Sequence, residues 1–177
     1  MSALVLLVVV AFFVAVIYLV DPVRAWRRYR GERIVTCPET AAPAAVSIDV
    51  GHAAFTALVE GRPDLRLANC SRWPERGRCD EPCIPDVEAA GVDGTVTAIV
   101  TRWCRSKQCV YCGKPIAAPD SPQHPAALLG PDGVSVLWRS VPAERLPSMF
   151  PTHQPVCWDC HHIETFRREH KELVVER

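Results

Sequence analysis

The sequence predicts an α+β chain: one N-terminal transmembrane helix, followed by small, loop-rich, cysteine-bearing subdomains that end in a turn, a β-hairpin and a helix. Three observations predict it. Residues 3–20 carry no charge. Nine cysteines fall within 177 residues, four of them as two C-x-x-C pairs. Sixteen prolines and nine glycines break the rest into short elements. The expected divisions are a transmembrane helix at 1–23, a basic juxtamembrane linker at 24–36, a cysteine-rich subdomain at 37–92 and a second one at 93–177.

The first element is the run ALVLLVVVAFFVAVIYLV, residues 3–20. As a helix it is about 27 Å long, against a hydrocarbon core of about 30 Å. Asp21 and Pro22 are expected to end it. A cleaved signal peptide fits poorly, because no basic residue precedes the run and no small-x-small site follows it. Arg24, Arg27, Arg28, Arg30 and Arg33 lie after the span and no basic side chain lies before it. Arginine-rich flanks stay in the cytoplasm. The expected location is therefore the cell inner membrane, crossed once, with the N-terminus outside and the soluble part cytoplasmic. Tyr18, Trp26 and Tyr29 suit the headgroup region.

In a reducing cytoplasm, closely spaced cysteines more often hold metals than disulfides. Four of them fall in the middle segment: Cys37 in TCPET, Cys70 in LANC, and Cys79 and Cys83 in CDEPC. They are expected to close one metal site. Zinc is the first expectation and an iron–sulfur cluster the alternative, although the spacing matches no ferredoxin run. Prolines 38, 74, 82 and 85 would stiffen the ligand loops. Arg72, Arg76 and Arg78 would either neutralise the thiolates or form a solvated loop. Residues 44–50 read as a strand, 52–61 as a helix or a continued strand, and 65–70 as a strand. Val96, Ile99, Val100 and Trp103 recur at helical spacing, which predicts an amphipathic helix over 93–106 with Cys104 beside its buried stripe. Cys104 is expected to be the ninth, non-ligand cysteine.

The C-terminal part carries Cys109-Val110-Tyr111-Cys112-Gly113 and Cys157-Trp158-Asp159-Cys160. A glycine after the second cysteine lets amides turn toward the sulfurs, and four thiolates at about 2.3 Å make a closed tetrahedral zinc site. Pro131-Asp132-Gly133 between apolar residues predicts a β-hairpin. After Cys160, Ile163, Phe166, His170 and Leu173 recur at helical spacing, which predicts a helix with that apolar face. Its N-terminus would stabilise the thiolates of Cys157 and Cys160. A knuckle, a hairpin and a cysteine pair opening a helix resemble the treble-clef group of zinc fingers. Many treble clefs are nucleases with a general-base histidine on the hairpin. Here His124 lies in a proline-rich loop before it, and basic and acidic residues nearly balance, so no nucleic-acid partner is expected. His161 and His162 are expected beside the site or exposed, and His170 as a packing residue.

Cys157, Cys160 and His161 also spell C-x-x-C-H, the attachment motif of a c-type haem. Covalent haem attachment in bacteria takes place outside the cytoplasm, and the expected topology puts Cys157 inside. The formal net charge is zero, so no global field attracts acidic or phosphate-bearing ligands. No Ser-His-Asp set, Walker loop or dinucleotide fingerprint occurs, so no catalytic residue is expected. Two function classes remain. One is a membrane-anchored, zinc-stabilised interaction or accessory module, with the membrane and a neighbouring protein as partners. The other is a membrane-anchored redox protein with an iron–sulfur cluster or a haem. The whole chain resembles a group of uncharacterised bacterial membrane-anchored cysteine-rich proteins, and that resemblance implies no function.

Overall fold

The computed structural model describes residues 3–77, 79–116 and 118–170. It is a mixed α/β molecule that divides into two compact units, Met1–Gly94 and Thr95–Arg177.

In the first unit, helix α1 (Ala3–Tyr29) runs straight through Pro22. The apolar run ends at Asp21, as the sequence indicates, but the helix does not. Its last turns persist because Ala25 and Tyr29 are buried in the core of the unit. Among the described residues it is the one helix long and apolar enough to cross a membrane; its apolar stretch has a mean hydropathy of 2.7 and buries none of its residues. Strands β1 (Arg33–Cys37) and β2 (Ala42–Ile48) follow as an antiparallel hairpin. The expected linker at 24–36 is thus built into the unit as the end of α1 and most of β1.

Helix α2 (Val50–Glu60) resolves the helix-or-strand choice at 52–61. Asp49 caps it, Oδ1 accepting from His52 N at 2.9 Å, and Gly61 ends it at φ +73°, a conformation that glycine adopts without strain. Strand β3 (Leu67–Cys70) pairs antiparallel with β2 and completes a sheet of order β1-β2-β3. Two short helices, α3 (Trp73–Arg76) and α4 (Ile84–Ala90), carry the chain past Cys83 to a 3₁₀ turn at Gly91–Gly94. Val35, Ala44, Val46, Ile48 and Leu67 pack with Ala25, Tyr29, Ala57 and Val87 to form the core.

Arg33, one of the arginines counted toward membrane orientation, lies inside this core at 1 % exposure. Its guanidinium donates to the carbonyls of Arg28 and Gly91, so it ties the end of α1 to the 3₁₀ turn. Burial pulls its pKa below the usual arginine value.

The second unit opens with α5 (Val96–Cys104), shorter than the 93–106 expected because 91–94 form the 3₁₀ turn and Thr95 Oγ1 caps the helix at Ala98 N, 3.2 Å. Val96, Val100 and Cys104 are buried, and Trp103 stacks on Phe150 with centroids 5.0 Å apart. Strands β4 (Ala127–Leu129) and β5 (Ser135–Leu137) form the expected hairpin around Asp132 and Gly133. The sheet has a third strand, β6 (Gln154–Val156), antiparallel to β4, in the order β5-β4-β6. A one-turn helix, α6 (Leu146–Met149), precedes β6, and α7 (Trp158–Glu169) follows it.

Candidate metal centre

Three segments of the second unit meet at one point. The turn at 109–113 closes with Gly113 N donating to Cys109 O at 2.9 Å, and Gly113 has φ +69°. The turn is fastened to β6 by Val110 N donating to Pro155 O at 3.1 Å. Cys157 is the N-cap of α7, and Cys160 lies one turn further on. The ligand atoms of Cys109, Cys112, Cys157 and Cys160 all lie within 4.8 Å of one another, a group that could hold a metal ion. Cys112 Sγ and Cys157 Sγ are 3.8 Å apart.

Burial and hydrogen bonding move the thiols of the group in opposite directions. Burial raises the Cys109 thiol, but the amides of Cys157, Cys112 and Tyr111 point at its sulfur and bring the pKa down to about 6. Burial and the neighbouring sulfurs push Cys160 up strongly, and burial also raises Cys157. One thiolate is thus favoured at the expense of its neighbours. A metal cation held by these sulfurs would favour the ionised form of its ligands.

His161, His162 and His124 lie near Trp158, beside the cysteine group, and none of them joins it. His161, expected beside the site or exposed, is buried, with Nδ1 2.7 Å from Ser135 Oγ on β5. The sequence reading missed this contact: a serine on the hairpin facing a histidine one turn into the helix carries no local signal. His162 packs edge-on against Trp158 with centroids 3.9 Å apart, and the His124 ring is also edge-on to it at 5.8 Å. His170, expected on a packed apolar face, is the C-cap of α7 beside Phe166. That face is not packed: Ile163 and Phe166 are 50 % and 52 % exposed, and Leu173 lies outside the described residues. Cys104 is separate from the group, and burial pushes its thiol up to about 11.

The middle cysteines are arranged differently. Cys37, Cys70, Cys79 and Cys83 all line one apolar pocket of about 20 Å³ in the first unit, with Arg72 and Trp73. Their sulfurs do not close into a group as tight as the first; among the described residues, only the Cys109 set does so. The nearness of the Thr40 hydroxyl and of the Thr40 and Glu39 amides holds the Cys37 pKa below the usual thiol value, and Thr40 Oγ1 itself is buried without a hydrogen-bond partner. Arg72 Nε and Trp73 Nε1 are buried without hydrogen-bond partners. Of the arginines expected near these thiols, Arg78 lies outside the described residues.

No family model, curated protein or solved structure matches this chain.

Proposed function

We propose that this is a membrane-anchored zinc protein, with a treble-clef centre in its second unit, acting as an interaction or accessory module at the cytoplasmic face of the inner membrane. The observation that carries the reading is the sulfur geometry. Four ligands at about 2.3 Å around a tetrahedral ion sit about 3.8 Å apart. The Cys112–Cys157 separation of 3.8 Å has that value, and the four sulfurs all lie within 4.8 Å of one another. A knuckle on one side and a helix N-terminus on the other also match the treble-clef order of elements. The ion would add folding free energy to a unit whose sheet strands are only three residues long.

A second zinc ion at Cys37, Cys70, Cys79 and Cys83 extends this reading. The amides aimed at Cys37 and the unpartnered N–H groups of Arg72 and Trp73 are donors that thiolates would accept. The four cysteines line one pocket, which supports a shared site. The redox alternative has less support. Attachment of a haem at Cys157 and Cys160 would need two free thiols and His161 directed at the iron, whereas both sulfurs face Cys109 and Cys112 and His161 faces Ser135.

Metal analysis with an absorption spectrum of the full-length protein, purified in detergent, tests the reading. The expected result is a colourless sample with two equivalents of zinc. One equivalent would remove the second site alone. A brown sample containing iron and sulfide, or a red one with haem bands, would replace the zinc reading by the redox one.

A further inference from the structure

Helix α2 is apolar on both sides, and the sizes are inverted. Its inward face is made of the small residues Ala53, Thr56 and Ala57, all buried. Its outward face carries Phe55, Leu58 and Val59, which are 63 %, 42 % and 65 % exposed. These positions are spaced i, i+3 and i+4, so they form one patch. A surface helix of a soluble domain turns its large apolar residues inward and its polar ones outward. Small residues on the inner face let α2 lie close against α1, where Ala57 and Ala25 share the core.

The position of the patch says what covers it. Ala57, Gly61 and Pro63 share one cleft with Asp21, Arg24, Ala25 and Arg28, so the C-terminal half of α2 is held beside the point where the apolar run of α1 ends. There α1 itself exposes Leu19, Val23 and Trp26. The charges that follow α2 are mixed: Arg62 is exposed and Arg66 pairs with Asp64 at 3.2 Å, while Glu60 is the one acidic side chain on the helix. A face of large apolar side chains, held beside the end of a helix read as membrane-spanning, is the pattern of a helix lying in the lipid interface.

We propose that Phe55, Leu58 and Val59 seat in the lipid surface of the bilayer that α1 enters, so that the first unit is held to the membrane by α2 as well as by α1. This rests on the reading of α1 as a membrane span. The test uses full-length protein in vesicles of phosphatidylethanolamine and phosphatidylglycerol, with the photo-crosslinker benzoylphenylalanine in place of Phe55 or, separately, of Val10. Both side chains are exposed, so neither replacement disturbs the core. Mass spectrometry is expected to find lipid adducts at both positions. Lipid adducts at position 10 alone would overturn the seating of α2 and leave the span intact. Crosslinks from position 55 to a second chain would make the patch a protein interface and overturn it likewise. Absence of lipid adducts at both positions would overturn the span and this inference together.

Discussion

Ser135 and His161 meet in a buried place, 2.7 Å apart, and bind the hairpin to the first turn of α7. Replacing His161 by Ala leaves the serine hydroxyl without a partner, at a cost of about 1–3 kcal/mol. The metal content should stay the same, since no sulfur ligand is touched. A denaturant melt alongside a zinc assay checks both halves of this expectation. The cysteines give a complementary test. Cys109→Ser should lose one metal ion and destabilise the second unit, whereas Cys104→Ser should keep the full metal content. Loss of metal from Cys104→Ser with Cys109→Ser unaffected would mean the ligand set is wrongly drawn. The division between Cys104 and the C-x-x-C pairs was legible in the sequence, because a ligand pair has a fixed spacing and Cys104 adjoins an apolar stripe. The role of Arg33 was not. It stands in a row of arginines, and only the fold brings the carbonyls of Arg28 and Gly91 to its guanidinium.

Elements announced themselves where a local rule governs them. The hairpin β4–β5 has Asp132 and Gly133 at its turn, with Gly133 at φ +75° and Asp132 Oδ1 accepting from Val134 N at 3.1 Å. Strand β6 was hidden, since it is three residues long with a proline at its centre. It survives because it lies at the sheet edge, where Pro155 has no ladder donor to supply and its carbonyl is taken by Val110 N. The end of α1 was misread for a related reason: Pro22 follows an apolar run, and only burial of Ala25 and Tyr29 keeps the helix going. Helix α2 depends on its cap, because glycine and threonine weaken its interior. Asp49→Ala should destabilise the first unit by about 1 kcal/mol, visible as a lower denaturation midpoint with an unchanged slope.

For the whole molecule, orientation is the expectation on which localisation depends. A reporter fused after Arg177 should be active only in a form that works in the cytoplasm. Activity of an alkaline phosphatase fusion there would invert the topology and make disulfides and haem attachment chemically accessible. Beyond buried Arg33, and Arg28 bonded to Glu88 O, the flank has Arg24 ion-paired with Asp21 at 3.8 Å, Arg30 over the Trp26 ring, and Arg27. All three still lie on the C-terminal side of the apolar run, as the expected orientation requires.

The unbroken passage of α1 from its apolar run into the packed core of the first unit also limits how the protein can meet others. A flexible tether gives a bound domain a radius of search that grows with the square root of its length. Here that radius is close to zero. If α1 spans a bilayer, as proposed, the first unit would sample neighbours by drifting sideways in the plane, at a nearly fixed height. A protein partner would have to present its contact surface at that same height. Inserting a glycine–serine stretch after Tyr29 would relax this geometric filter, but it would also pull apart the core that α1 helps to build.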